Sequence, residues 1–249
     1  MWAISIVIPA LDEARRLPPN LDRVGAYLAA NPAWLPAEII VVDDGSVDGT
    51  AAAARTVALP PSVDLKVAVH PRNRGKGAAV RTGFGQASAR WVLLSDADLS
   101  TPIEEIEKLA VAATDSTVVI GSRAVDRCLV ETPQPWYRDA MGRIFNVMVR
   151  ALVLGDIRDT QCGFKLFPGD LARALSSAQR LDGFAFDVEL LLLARRWGFS
   201  LREVGVRWRH VEASRVLPVR HSGQMLRDLA RIWVRRAAGT LPGPPKKPS

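Results

Sequence analysis

The chain has 249 residues, 48% of them hydrophobic and 24% charged, enough apolar material for one large α/β domain with a full core. Its two cysteines, Cys128 and Cys162, exclude a disulfide framework and a CxxC metal site, and no apolar run approaches the ~20 residues of a membrane-spanning helix. A net charge of +7 with an isoelectric point near 10.0 implies an anionic partner: nucleic acid, a phosphorylated substrate or anionic lipid.

The first apolar run, ISIVIP at 4–9, has no basic stretch before it and meets Asp12 too early for a signal peptide, so a cytoplasmic protein is expected. Further β-rich runs follow at 38–43, 64–70, 91–96 and 117–122, each separated from the next by a helix-length segment. This alternation predicts a mostly parallel sheet covered by helices on both faces. In such sheets ligands bind at the carboxyl ends of strands. Acidic residues fall at those ends: Asp12 and Glu13 after the first strand, Asp43 and Asp44 closing the second, Asp96 and Asp98 closing the fourth.

Three segments on that rim can carry chemistry. In VVDDGSVDGT (41–50) a carboxylate can accept hydrogen bonds from a base or a ribose hydroxyl, while Ser46 and Asp48 suit a turn that caps the next helix. HPRNRGKGAAVRTG (70–83) sets Arg72, Arg74, Lys76 and Arg81 around Gly75 and Gly77 at a helix mouth, which favours anions, or forms an exposed basic turn. VLLSDADLST (92–101) places Asp96 and Asp98 on one side of a strand end, where two negative charges need a cation between them. A divalent ion bridging a nucleoside diphosphate would satisfy that need, and helix capping by Asp96, Asp98 and Ser100 near Ile103 is the plainer alternative.

Beyond Arg123 the pattern changes to a long helical stretch at 138–155, then DTQCGFKLF, a helix at 184–197, a strand at 201–208 and a last helix at 224–237. Eleven arginines lie between Arg195 and Arg236. In the last helix Met225, Leu229, Ile232 and Trp233 are expected on one face with Arg227, Arg231 and Arg235 on another, a pattern that fits an anionic membrane surface or a docked helix with a solvated basic side. With 6% aromatic residues and no recognisable nucleic-acid module, nucleic acid is not the expected partner. Trp136, Trp208 and Trp233 read as core or interfacial residues, and the histidines as hydrogen-bonding residues.

Taken in order, VIPALDE (7–13), VVDDGSVDGT, NRGKGAAVRTG (73–83), SDADLST (95–101) and VIGSR (119–123) resemble the family-2 glycosyltransferases of the GT-A fold, a Rossmann-like nucleotide-diphospho-sugar transferase architecture. TQCGFKLF (160–167), GFAFDVELL (183–191) and EVGVRWRHVEASRV (203–216) are similar to the dolichyl- or polyprenyl-phosphate glucosyltransferase branch. The resemblance implies a catalytic domain over 1–216; the charge pattern adds a basic amphipathic membrane-facing helix over 217–240, and the Pro-rich composition a disordered tail over 241–249.

The resemblance also implies residue roles. Nucleoside contacts fall on Pro9, Leu11, Glu13, Asp43 and Asp44, and nucleotide contacts on Arg72, Gly75 and Lys76. Asp96 and Asp98 would hold Mg or Mn, with Ser100 standing where related mannosyltransferases carry a glutamine ligand. Phosphate contacts fall on Arg123, Arg209, Ser214 and Arg215, with Ala213 where glycine is usual, and Asp187 sits near the acceptor as an orienting group or base. Arg138 and Arg143, on a stretch with Ile144, Phe145, Val147 and Met148, suit a lipid phosphate, although ordinary core packing explains the apolar residues equally well.

The expected activity is inverting transfer of a hexose, glucose from UDP-glucose, to polyprenyl or dolichyl phosphate with release of UDP, on the cytoplasmic face of a membrane. GDP-mannose as donor, or a hydroxyl acceptor, is the alternative within the class. A non-catalytic module that binds anionic surfaces is the alternative outside it.

Overall fold

The computed structural model describes residues 3–132, 134–211 and 218–244, and only the backbone at 138 and 218–222. Five strands follow the expected runs: β1 (Ile4–Ala10), β2 (Ala37–Asp43), β3 (Val63–Val69), β4 (Trp91–Leu94) and β5 (Thr117–Ser122). Between them lie α1 (Leu17–Ala30), α2 (Thr50–Arg55), α3 (Lys76–Gln86) and α4 (Ile106–Ala112). The second half adds β6 (Val130–Thr132), α5 (Trp136–Leu152), β7 (Lys165–Pro168), α6 (Gly169–Ala178), α7 (Phe186–Arg196), β8 (Ser200–Gly205), β9 (Trp208–Arg209) and α8 (Pro218–Ala237).

Seven strands form one sheet in the order β3-β2-β1-β4-β7-β5-β8, and β6 pairs with β9 in a small second ladder. The periodicity of the central strands decides which helices cover which face. Ile4, Ile6 and Ile8 of β1 point into the core shared with α1 and α4, whereas Val7 points into the core shared with α3, α6 and α7. Strands buried on both faces read as continuous apolar runs, which is why they were visible.

Of the elements not expected, β6, β7 and α6, the one that positions the site is β7. It lies antiparallel to both β4 and β5 and separates them, so DTQCGFKLF is an approach loop followed by a central strand. Its only marker was four residues, KLFP, and its placement depends on partners 45 or more residues away in sequence. This insertion carries the TQCGF loop across the carboxyl end of β4, with Gly163 packed on Asp96.

Two expectations for the C-terminal region need correction. Trp233 does not share the packed face of α8: Leu229 and Ile232 are buried, Met225 packs beside them, and Trp233 is 48% exposed. The tail is docked at its start, since Leu241 is buried and the carbonyl of Pro242 accepts from Trp197 Nε1 at 3.0 Å. Residues 245–249 lie outside the described residues.

Candidate active site

The site grows from the end of β4. Ser95 N still donates to Val7 O, after which the chain turns: Leu99 N donates to Asp96 O at 3.2 Å, and Asp98 Oδ1 accepts from Ser100 N at 2.9 Å. Leu99 takes a left-handed backbone, φ 47°, a conformation costing about 1–2 kcal/mol for a non-glycine residue. Burial of its side chain in the core below offsets that cost. The turn thus holds Asp96 and Asp98 facing outward. Neither aspartate caps the following helical turn, whose N-cap is Pro102, so the capping alternative does not hold.

Lys76, at the first position of α3, is a cation in direct contact with this turn, with Nζ 2.6 Å from Asp96 Oδ1. Burial opposes ionisation of Asp96, but Lys76, with help from Lys165 and Arg123, outweighs it and holds the carboxyl below its ordinary pKa. Asp98 moves the other way. Its burial, followed by the charge of Asp96, raises its pKa above the ordinary value. The two acids therefore differ in proton affinity, with the second one poised for a further cation.

Gly163, in the loop before β7, is packed so closely on Asp96 that a Cβ there would overlap the carboxylate. At the end of β5, Arg123 forms a bidentate pair with Asp159, 2.7 and 2.8 Å, and its guanidinium lies 5.4 Å from the ring centre of Trp208. Burial opposes the Asp159 charge, but Arg123 prevails and its pKa falls to about 2.

A cavity of about 420 Å³ brings Lys76, Asp96, Asp98, Ser100 and Arg123 together. Its other wall is apolar: Met141, Ile144, Phe145 and Met148 from α5, with Met225 and Leu226 from α8. Gln134, Gln161, Trp208 and His210 also line it, and sequence reasoning did not assign them to the site. Gln161 was within reach, since it belongs to the quoted TQCGF motif.

The other expected residues are distributed around this cavity. Asp44 is buried and accepts from Arg74 N at 3.0 Å, Gly75 N at 2.7 Å and the His70 ring at 2.7 Å, so it shapes the NRGKG turn. Gly75 there has φ 107°, and a side chain would strike the backbone of Asp182. Asp43 accepts from Ser46 N and Ala51 N, and Asp48 accepts from Thr50 N, the turn role expected for that segment. Glu13 pairs with Arg16 at the start of α1; Pro9 is buried in β1, Leu11 is half-buried after it, and Arg72 is exposed. None of these lines the cavity.

Asp187 departs most from expectation. It is buried and does not line the cavity, with Lys165 Nζ 2.5 Å from its Oδ1. Its pKa is raised, chiefly by burial, against the pull of Lys165 and Lys76. Arg209 is exposed on β9, with its backbone N–H donating to Ser100 O at 2.9 Å. Ser214 and Arg215 lie outside the described residues, as does Ala213.

No group of three or more His, Cys, Asp or Glu that could hold a metal occurs among the described residues. A hard divalent cation at Asp96 and Asp98, with the buried Ser100 hydroxyl beside them, would complete its shell from a bound diphosphate and water, which suits Mg or Mn.

Acidic and basic groups that converge at the carboxyl rim of an α/β sheet are the arrangement of a transferase-type site for a phosphorylated ligand. The family model described as Glycosyl transferase family 2 matches residues 5–175, and the chain belongs to that family. It is 38% identical over 248 residues to a dolichyl-phosphate beta-glucosyltransferase of Drosophila melanogaster, covering 95% of this chain and 76% of the relative. It is 34% identical to the relative of that name in Homo sapiens, covering 95% and 76%, and 30% to that of Saccharomyces cerevisiae, covering 92% and 73%.

Among solved structures, glucosyl-3-phosphoglycerate synthase from Mycobacterium tuberculosis in complex with Mn2+, UDP-glucose and phosphoglyceric acid matches with a TM-score of 0.65. It is 21% identical, covering 95% of this chain and 80% of that one. Mannosyl-3-phosphoglycerate synthase from Rubrobacter xylanophilus matches at 0.68, 19% identical, covering 96% and 76%. At such identity these neighbours show the fold, and the expected GT-A architecture is the one observed.

Proposed function

We propose that this glycosyltransferase moves glucose from UDP-glucose to a polyprenyl or dolichyl phosphate, with inversion at the anomeric carbon and release of UDP. The observation that carries this reading is that Lys76, Asp96 and Asp98 face an apolar wall from α5 and α8 within one cavity. One side suits a diphosphate, the other an isoprenoid. The names of the relatives at 30–38% identity point to the same donor sugar and acceptor.

The residues divide the work by charge. A divalent cation bound at Asp96 and Asp98 would stabilise the negative charge that develops on the leaving diphosphate. Lys76 keeps Asp96 ionised and adds positive charge on the same side. Arg123, held in place by Asp159 and Trp208, presents its guanidinium to the acceptor's phosphate. A phosphate monoester has a second pKa of about 6, so the attacking oxygen is already ionised at neutral pH. No general base is required, which agrees with Asp187 being buried on Lys165.

Among the described residues no helix is long and apolar enough to cross a membrane. We assign α8 to the cytoplasmic membrane surface, with Leu226, Trp233 and Val234 exposed on it. The test is nucleotide release from a matrix of sugar nucleotides against a short-chain polyprenyl phosphate, with and without EDTA. UDP release with UDP-glucose, dependent on acceptor and abolished by EDTA, is expected. GDP release with GDP-mannose alone would overturn the donor assignment.

A further inference from the structure

A second cleft, of about 300 Å³, lies beside the first. Arg123, Gln134, Gly142, Gln161 and Trp208 line both, whereas Asp96 and Asp98 line only the first. Five arginines (123, 127, 143, 150 and 158) face two aspartates in it. Asp159 is taken by Arg123, and Asp139 is shared by Arg127, at 3.3 Å, and Arg143. The side chains of Arg150 and Arg158 have no carboxylate partner among the described residues. The cleft therefore presents uncompensated guanidinium groups, whose fork geometry matches phosphate oxygens.

The flank of the cleft says which phosphate it fits. Arg143, Val147 and Arg150 follow one another at helical spacing on α5 and line the cleft together. Val147 is 60% exposed, Ile144 beside it 59%, and Trp136 in the first turn 82%. A soluble anion would need the arginines and give no reason for exposed aliphatic side chains beside them. A bilayer surface uses both: guanidinium on headgroup phosphate, aliphatic groups at the acyl boundary, indole at headgroup depth.

We infer that this cleft is a headgroup site that takes the phosphate of an anionic phospholipid and rests α5 on the bilayer beside the mouth of the active site. The α5 contact is separate from that of α8. It goes beyond the proposed function and rests on it only in that a lipid acceptor brings the enzyme to a membrane. α5 also supplies Met141, Phe145 and Met148 to the apolar wall, so the same helix would orient that wall toward the bilayer.

The test is co-sedimentation of the full chain with vesicles of phosphatidylcholine alone or of an equimolar mixture with phosphatidylglycerol. The Arg150→Ala/Arg158→Ala variant is expected to bind the mixed vesicles about 30-fold more weakly, at roughly a tenfold or smaller loss per arginine. Its Tm and its turnover of a short-chain polyprenyl phosphate in detergent are expected to match those of the parent. Ile144→Ser/Val147→Ser should also weaken binding. Parent-like binding by the arginine variant, with release instead by Arg227→Ala/Arg231→Ala, would assign the anionic surface to α8 alone and overturn the inference. A phosphate-induced rise in Tm that the arginine variant loses, with vesicle binding unchanged, would make the cleft a soluble-anion site and overturn it too. Turnover in detergent by the parent tests the proposed function separately.

Discussion

Lys76 Nζ and Asp96 Oδ1 stand 2.6 Å apart across the end of the sheet, one at the first position of α3 and the other just past β4. The pair supplies part of the positive charge that the acidic turn requires. Replacing Lys76 with Met leaves the half-buried Asp96 with its main counter-charge gone. Its pKa should then rise, so the acid limb of the kcat/KM profile should move to higher pH, with kcat/KM at its plateau falling at least about 100-fold. A pH profile unmoved by the substitution would show that Lys76 does not control Asp96.

Asp98 carries a raised pKa, set first by burial and then by the charge of Asp96. Asp98→Ala should abolish transfer without lowering Tm, because removing it relieves repulsion from Asp96. For the parent, manganese binding followed by calorimetry should release protons at mildly acidic pH and tighten as pH rises. Normal turnover by Asp98→Ala would remove the metal role.

Gly163 touches Asp96 with no room for a methyl group. Gly163→Ala should push the carboxylate aside and cost kcat at least about 10- to 100-fold, the scale on which a small displacement of a reacting group matters. Circular dichroism should be unchanged, since the flexible end of a side chain, rather than backbone, has to move.

Arg123 and Asp159 make a pH-dependent contribution to stability. The Asp159 pKa is about 2 in the folded chain, against ~3.9 for an unperturbed aspartate. A depressed folded pKa gives stability that is present above the unfolded value and lost as pH falls through the folded one. Urea unfolding between pH 5 and 2 should therefore lose about 2–3 kcal/mol from this pair, a slope that Asp159→Asn abolishes.

Asp187 and Lys165 test the base assignment. Asp187→Asn leaves Lys165 buried without its counter-ion and should cost about 3–5 kcal/mol of stability. The Asp187→Leu/Lys165→Met pair should recover most of that loss. If Asp187 were a base, the recovered double variant would remain inactive while folded.

The alternating apolar runs, the acids at their ends and the glycines of NRGKG were legible as sequence because each reports a local requirement. A strand buried on both faces must be continuously apolar, and the turn at Gly75 must have φ above zero. The DxD, Lys76 and Ser100 stood out for the same reason, whereas Arg123 was placed by resemblance alone. What sequence could not show was partnership across space. That Asp187 is buried on Lys165, that Asp44 shapes a turn, and that β7 separates β4 from β5 all depend on contacts between residues 20 to 70 or more positions apart. The side chains of Trp208, His210 and Gln161 became site residues only when the sheet order brought their loops onto the same rim. Periodicity records whether a residue is buried, but which charge meets it there is decided by topology.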